Sequence, residues 1–397
     1  MVPALRKAFN EAFTRQRYDD FVTDLDSKYP GAIEFRVAET PVFVPKSFAA
    51  QLTGACEYII DFITDPAFKA LTERAIPSAD RVPNENGHSH FLAFDFGVCM
   101  GETGQWEPRL IEMQGFPSLY GFQVYFCDTQ RRHFSIPDNY SQYLDGFDRT
   151  SYLSALGDTI LGGLPAEQVV LLEIKPHEQK TRIDFYCTQD YLGIQPVCLT
   201  ELIPEGRQLY YIHAVTGKPT LIKRIYNRVI FDELHAASLP PHIDIRGDWD
   251  VEWIAHPNWF YRISKFTLPF LHHPFIPPTF FLNELKQPPA DLQNYVLKPL
   301  FSFAGQGVVI DVLPSDLAAI EDPENWILQR KVVYADLIPT PDIPAKVEIR
   351  MMYLWKDGAP RPVPAINLAR LSKGKMIGVR YNQDKEWVGG SVCYFER

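Results

Sequence analysis

The apolar positions at the start of the chain recur at roughly helical spacing, at Leu5, Phe9, Phe13, Phe21 and Leu25. This spacing predicts an amphipathic helix that ends by Gly31, because glycine favours the end of a helix. A second helical stretch is predicted over 47–75. The N-terminal part of the chain is therefore expected to be mainly helical until the first strands begin.

Two runs in which apolar and polar positions alternate follow, over 91–99 and 109–114. They are separated by a turn-rich segment that contains Gly101 and Gly104. Alternation with a period of two is typical of half-buried strands, and a short glycine-containing connection joins antiparallel neighbours. The pattern predicts a β-hairpin.

The rest of the chain mixes both periodicities. Over 165–255 the pattern predicts a strand at Val169–Ile174, a helix over 181–192 that ends at Gly193, and strands over 197–201, 209–213 and 221–230. From residue 256 onward strands dominate, and they are predicted over 295–300, 308–312, 326–329, 347–355 and 376–381. Strands with intervening helices in the middle, and strands at the end, indicate an α/β segment within an α+β protein.

Composition narrows the class of protein. The 397 residues are 46% hydrophobic and 13% aromatic, which is enough for a core shared by more than one domain. The net charge is −10 and no block of Lys and Arg occurs, so a nucleic-acid partner is not expected. No uncharged apolar run approaches the roughly 18 residues of a membrane span, and no signal-peptide core is present. The six cysteines form no C-x-x-C pair, so a cytoplasmic protein is expected.

The first hairpin concentrates oxygen atoms on one face. When it is folded about its glycine turn, Asp95 lies opposite Glu112, and Ala93 lies opposite Gln114. Two opposed carboxylates repel each other, but a divalent cation between them reverses that sign, and Mg²⁺ prefers oxygen ligands. The pairing therefore predicts a magnesium face. The alternative is a solvated polar face with another register.

A second hairpin is predicted around Tyr295–Ile310. Lys298 lies near the end of its first strand, and Gly305 and Gly307 lie in its turn. Glycines allow backbone N–H groups to approach an anion, and a lysine adds a point charge for phosphate. The alternative is an ordinary hairpin with an exposed lysine.

Together these motifs resemble the synthetase half of glutathionylspermidine synthase. Phe94-Asp95-Phe96, Gly104 and Leu110-Ile111-Glu112-Met113-Gln114 are similar to that family's F-D-F, glycine turn and L-L-E-Y-N. The run from Tyr295 to Val308 resembles its K-K-P-L-F-x-x-x-G-x-x-V loop. Between them, His256-Pro257-Asn258-Trp259 and Ile263-Ser264-Lys265 resemble two further family segments.

The resemblance implies an α+β and α/β architecture: a circularly permuted ATP-grasp fold with a preATP-grasp-like α/β domain. Residues 1–160 would contain the N-terminal helices and the metal-binding hairpin of the ATP-grasp core. Residues 161–255 would form the preATP-grasp-like domain. Residues 256–397 would supply the lid and hinge that bind the nucleotide.

The resemblance also implies ATP and Mg²⁺ as cofactors and assigns roles to particular residues. The metal ligands would be Asp95, Glu112 and Gln114. The ATP phosphates would contact Lys265, Lys298 and the loop residues Ser302, Gly305, Gln306 and Gly307. Gln329, in the strand Trp326–Gln329, would read the adenine edge, or is an ordinary edge polar group. Arg380 would face the substrate or an acyl phosphate as a catalytic residue beside Lys298, or forms a surface salt bridge.

A further polar group is visible without the resemblance. Glu348 and Arg350 share one face of a predicted strand, and Asn367 and Arg370 lie in the next stretch. They either line the site, with Arg350 as a catalytic residue, or form a cross-strand ion pair.

The sequence departs from the family pattern at three of the matched positions. Ala93 and Phe303 stand where the family has arginine, and Gln114 stands where it has asparagine. Glutamine offers the same amide oxygen one methylene further from the backbone.

The function implied is an ATP- and magnesium-dependent carboxylate–amine ligase that forms a peptide-like amide bond through an acyl phosphate. Its partners would be ATP and small-molecule acid and amine substrates, without nucleic acid or membrane. Two alternatives use the same scaffold: a kinase, whose acceptor oxygen keeps the phosphate, and a catalytically silent ATP-binding module.

Overall fold

The computed structural model describes residues 2–236, 243–301, 306–374, 377, 382 and 384–397. Its α-helices are α1 (Pro3–Ala12), α2 (Arg15–Ser27), α3 (Lys46–Thr64), α4 (Phe68–Leu71), α5 (Phe122–His133), α6 (Arg149–Leu161), α7 (Arg182–Leu192), α8 (Phe231–Ala236), α9 (Asn258–Arg262) and α10 (Pro314–Ala318).

Strands are interspersed with these helices along the sequence. They are β1 (Val42–Val44), β2 (Phe91–Met100), β3 (Trp106–Gln114), β4 (Tyr140–Ser141), β5 (Val169–Glu173), β6 (Gln195–Cys198), β7 (Ile203–Glu205), β8 (Gln208–Ile212), β9 (Pro219–Ile222), β10 (Arg224–Asn227), β11 (Glu252–Ile254), β12 (Thr279–Phe281), β13 (Tyr295–Pro299), β14 (Val309–Ile310), β15 (Trp326–Arg330), β16 (Lys346–Leu354), β17 (Val363–Ser372), β18 (Gly389–Ser391) and β19 (Cys393–Glu396).

The predicted helix at the N-terminus is two helices. The hydroxyl of Thr14 accepts a hydrogen bond from the backbone N–H of Arg17, so Thr14 caps a new helix where one continuous helix was expected. The second predicted stretch ends at Thr64, because Pro66 follows and disfavours helical backbone at Asp65. The helices α5 and α6 were not predicted.

The central sheet is antiparallel, with the strand order β18-β17-β16-β2-β3. The predicted hairpin is confirmed, and Asp95 pairs with Glu112 and Ala93 with Gln114. A bulge after Asp95 then shifts the register, so Leu110 pairs with Phe96 and packs into the core.

A second antiparallel sheet has the order β12-β15-β13-β14 and contains the predicted lysine strand β13. The two sheets are in contact, since the backbone N–H of Leu110 donates to the carbonyl oxygen of Phe275, just before β12. The chain that leaves β15 crosses back to the hairpin, where the N–H of Ala335 donates to Val98. The acidic hairpin and the lysine strand therefore face the same region.

The middle of the chain forms a parallel sheet, β11-β10-β5-β6, with α7 connecting β5 to β6. Gly193 ends α7 in the left-handed conformation, as the sequence predicts. The predicted strand over 221–230 is two strands, β9 and β10, in different sheets. The strand predicted over 376–381 lies outside the described residues, apart from residue 377.

The remaining strands form two small sheets, β1-β19-β4 and β7-β8-β9. Within the described residues no helix has the length and apolar character needed to cross a membrane. The division of the chain at residues 160 and 255 stays a prediction.

Candidate functional site

The three predicted metal ligands lie at one end of the hairpin. Asp95 on β2 is only 1% exposed, and its partner in register, Glu112 on β3, is half-buried. The side-chain nitrogen of Gln114 donates to Oε1 of Glu112 over 3.2 Å. The structure thus brings together the oxygen atoms that the alternating pattern placed on one face.

Asp95 is already held by two arginines. Arg350 lies directly opposite it on β16 and donates two hydrogen bonds, from Nε to Oδ1 and from Nη2 to Oδ2, each 2.6 Å long. Arg370 on β17 donates a third bond to Oδ2 over 2.7 Å. A bidentate arginine–carboxylate pair fixes the orientation of the guanidinium plane as well as its position.

Glu348 extends this network across the sheet. It is paired in register with Arg370, whose Nη2 also donates to Oε1 of Glu348. The hydroxyl of Tyr334 donates to the other oxygen over 3.2 Å. The cross-strand ion pair predicted as one alternative is therefore formed by Glu348 and Arg370, and the lining of a site by Arg350 stays a prediction.

Gly97 makes room for this tyrosine. A Cβ at position 97 would lie 2.6 Å from Cε1 of Tyr334, which is closer than side chains approach. Glycine on β2 is thus required by the ring above it, and not by an unusual backbone conformation.

The carboxylates titrate differently although both contact Arg370. Burial alone would raise the pKa of Asp95, but the guanidiniums of Arg350 and Arg370 outweigh it and lower the pKa below its usual value. Burial raises the pKa of Glu348, and the charges of Asp95 and Glu112 act in the same direction, so Arg370 compensates the shift only in part. Asp95 therefore stays ionised and is the main counter-ion of the two arginines.

Lys298 reaches the hairpin from the other sheet. Its ammonium group donates to the main-chain oxygen of Ile111 over 3.1 Å and to Oε1 of Gln329 over 2.6 Å. Burial lowers its pKa to about 8, and the nearby charge of Glu112 opposes that shift. Lys298 is therefore a buried cation that contacts the strand carrying the predicted metal ligands.

Lys265 is a second buried cation in this region. Its Nζ donates to the main-chain oxygen of Pro299, one residue beyond Lys298, over 3.0 Å. Burial lowers its pKa, and the charge of Glu112 again acts in the opposite direction. Two lysines from separate segments are thus brought beside the same glutamate.

The other residues predicted to bind the nucleotide lie in different environments. Gln329 is buried, and its Oε1 accepts from Lys298 while its Nε2 has no hydrogen-bond partner among the described residues. Gly307 has a φ of +72°, and an added Cβ would lie 3.0 Å from Cγ of Pro299. Gln306 is exposed. The remaining predicted site residues, Ser302, Gly305 and Arg380, lie outside the described residues.

Asn367 does not belong to the site. It is fully buried, donates to the main-chain oxygens of Gln142 and Cys393, and accepts from the N–H of Cys393. Its amide thus joins β17 to the C-terminal strand β19. The expectation that Asn367 lines the site beside Arg370 is wrong, since the two residues differ by an odd number of positions along β17 and alternate faces.

A cleft of about 280 Å³ opens beside the chain that leaves β15. It is lined by residues 330–333 and, across from them, by Met100 and Glu107 on the outer part of the hairpin. The predicted adenine-binding segment Trp326–Gln329 ends one residue before this lining and contributes no side chain to it.

Asp95 does not fit as a magnesium ligand in this arrangement. Three guanidinium N–H groups occupy its oxygens, and a cation about 4 Å from a guanidinium would be repelled by about 4 kcal/mol per unit of charge at an effective dielectric constant of 20. Among the described residues, no group of three or more histidine, cysteine, aspartate or glutamate side chains could hold a metal ion. Glu112 and Gln114 remain as candidate ligands.

Buried cations and carboxylates lie close together in this region. The cations are Lys265, Lys298, Arg350 and Arg370, and the carboxylates are those of Asp95, Glu112, Glu348 and, near Lys265, Asp232. The two sets are equal in number, and their charges interact more strongly in this partly buried region than they would in water. The sequence suggested the lysines and Arg350, whereas Tyr334 was missed because nothing in its local pattern indicates a contact with Glu348.

Comparison with known proteins gives a likeness in fold alone. No family model matches this chain, and no curated protein matches it in sequence. Among solved structures, it is similar to a glutathione synthetase-like effector from Globodera pallida in its apo form. The two share 10% sequence identity with a TM-score of 0.59, over 96% of each chain. The fold is therefore glutathione synthetase-like.

Proposed function

We propose that this protein is an ATP-dependent carboxylate–amine ligase with a circularly permuted ATP-grasp fold. The observation that supports this most directly is the convergence of Lys298 and Lys265 beside Glu112. A lysine pair next to an acidic hairpin is suited to holding a triphosphate. The glutathione synthetase-like fold supports the same class of reaction by analogy.

The order of the segments supports the permuted form. The acidic hairpin of β2 and β3 precedes the lysine strand β13 in the sequence by almost two hundred positions, yet Lys298 touches the hairpin backbone. The central sheet is completed by β16 and β17 from the C-terminal part of the chain. Segments from both ends of the sequence therefore build one site.

The proposed reaction has two steps. An oxygen of the substrate carboxylate attacks the γ-phosphorus of ATP, the bond to the β–γ bridging oxygen breaks, and ADP leaves. The amine nitrogen then attacks the carbonyl carbon of the acyl phosphate, inorganic phosphate leaves with the bonding pair, and the nitrogen loses a proton to solvent.

The protein's contribution to this reaction is positioning and charge neutralisation, as in phosphoryl transfer generally. Lys298 and Lys265 would neutralise the phosphates, and Arg350 would stabilise the carboxylate or acyl phosphate. Magnesium stays a proposal that rests on Glu112 and Gln114, and no step is assigned to it.

Incubation of the protein with ATP, Mg²⁺ and pools of small acids and amines tests the proposal. A ligase releases ADP and phosphate and forms an amide that mass spectrometry detects. A phosphorylated product without incorporated amine would instead identify a kinase. Failure of ATP to bind in calorimetry would overturn both, and Lys298→Met serves as the binding-deficient control.

A catalytically silent ATP-binding module is the second candidate. The observation that favours it is the occupation of Asp95 by Arg350 and Arg370, which removes a carboxylate from metal binding. Binding of ATP without release of ADP in any acid–amine mixture would support this candidate over the ligase.

A further inference from the structure

The two arginines beside Asp95 come from different strands and converge on one carboxylate. Arg350 is buried and donates two hydrogen bonds to Asp95, whereas Arg370 is 32% exposed and bridges Asp95 and Glu348. Two guanidiniums fixed in this way by carboxylates have restricted orientations before any ligand arrives. Such preorganisation lowers the entropic cost of binding a further group.

We propose that Arg350 and Arg370 form a clamp that binds the phosphate oxygens of ATP without a metal ion on Asp95, and that Asp95 is the residue that positions both arginines. This inference rests on the proposed ATP-dependent function and deepens it. The ligand class is a polyphosphate, and the recognising groups are the guanidinium N–H groups that do not bond to Asp95 or Glu348.

Arg370 retains hydrogen-bonding capacity for such a ligand. Its hydrogen bonds to Asp95 and Glu348 both come from Nη2, and its Nε is buried with no hydrogen-bond partner in the part of the chain that the structure describes. The Arg370 side chain is 32% exposed, so an oxyanion can approach its guanidinium from the solvent side while Asp95 and Glu348 hold Nη2.

The register of the sheet places the guanidinium of Arg350 near a position of β2 at which the resembled family has an arginine. Position 93, at which the resembled family has arginine, is Ala93 and lies opposite Met352. Two residues further along the same face, Arg350 on β16 lies opposite Asp95. The neighbouring strand thus supplies a guanidinium to the face on which β2 lacks one.

The clamp gives the two hairpin carboxylates opposite roles. Asp95 orients the arginines, so its removal should release them although it also deletes a negative charge. Glu112 lies 4.0 Å from Nη2 of Arg350 and forms no tight pair with it, so its removal should only make the region more cationic. Asp95→Asn and Glu112→Gln are therefore matched charge deletions with opposite expected effects.

Isothermal titration of ATP and of inorganic tripolyphosphate, in EDTA and again in Mg²⁺, tests the clamp. The unmodified protein should bind both ligands in EDTA. Asp95→Asn should bind at least tenfold more weakly in both conditions, and Glu112→Gln should bind more tightly than the unmodified protein in EDTA. Arg370→Gln should lower the affinity for both ligands at least tenfold. Its position is partly exposed, so this substitution should disturb folding less than one at a buried position. Thermal denaturation verifies that each variant is folded.

Three outcomes would overturn the clamp. Strict dependence of ATP binding on Mg²⁺ would do so while leaving the proposed ligase intact. Equal or tighter binding by Asp95→Asn in EDTA would show that Asp95 positions nothing. Unchanged tripolyphosphate affinity in Arg370→Gln would remove Arg370 from the ligand. If tripolyphosphate binds as expected but ATP never does, the clamp stands and the ATP-dependent function fails.

Discussion

The ammonium group of Lys298 lies 3.1 Å from the main-chain oxygen of Ile111, although the two residues are 187 positions apart in the sequence. This contact joins the lysine strand of one sheet to the acidic hairpin of another. Lys298 also donates to Gln329 on the adjacent strand β15. One side chain therefore links the three segments that the site requires.

Lys298→Met should weaken ATP binding by at least tenfold, because a charge-assisted hydrogen bond contributes about 1.5–3 kcal/mol. Methionine preserves the buried stem better than alanine does. The variant should also lose some stability, since Ile111 and Gln329 are left without their donor. Titration calorimetry measures the affinity, with the exposed Lys286→Met as the matched control, and an unaltered ATP affinity would remove Lys298 from the nucleotide site.

The affinity for ATP should fall as the pH rises through about 8, the pKa of Lys298. The neutral amine that forms above this pH no longer attracts phosphate. The folded-state pKa is below the usual lysine value of about 10.4, so the folded protein binds fewer protons than the unfolded chain between these values and gains stability as the pH rises.

These two trends have opposite signs and are measured separately, by calorimetric titration and by urea denaturation between pH 7 and 10. Lys298→Arg keeps its charge throughout this range, so its ATP affinity should stay flat. A decline of the same size in that variant would assign the pH dependence to another group.

Asp95→Ala should lower the free energy of unfolding by about 3–5 kcal/mol, because it leaves the buried guanidinium of Arg350 without its counter-ion. The double variant Asp95→Ala/Arg350→Ala should be less destabilised than the sum of the single variants, since it leaves no uncompensated charge. Urea denaturation of the four proteins in this cycle measures the coupling.

The exposed pair of Arg361 and Glu57 provides a comparison for this cycle, because an exposed ion pair contributes at most about 1 kcal/mol. If the coupling free energy between Arg361 and Glu57 equals that between Asp95 and Arg350, the buried network around Asp95 is contradicted.

Gly97→Ala should destabilise the fold by about 1–3 kcal/mol, as expected when a methyl group is forced into a filled space. The added Cβ meets Cε1 of Tyr334 at 2.6 Å, so the ring and its bond to Glu348 must move. The cost should shrink in the Tyr334→Ala background. Thermal denaturation checks this, and an undiminished cost in that background would place the clash elsewhere.

Local pattern alone determined a large part of this protein. Strict alternation along 91–99 and 109–114, with a glycine turn between them, was enough to predict the hairpin and the pairing of Asp95 with Glu112. The glycine after α7 likewise predicted the end of that helix, because both features depend only on residues that are close in sequence.

The bulge after Asp95, the capping of a new helix by Thr14 and the separation of β9 from β10 were not predicted, because they depend on competing local bonds or on distant strands. What the sequence by itself determined is which polar residues share the hairpin face. Only the tertiary structure decided that Arg350 and Arg370 form hydrogen bonds with Asp95 and that Lys298 contacts Ile111. These contacts join strands that are far apart in sequence, and local periodicity does not specify the order of strands in a sheet.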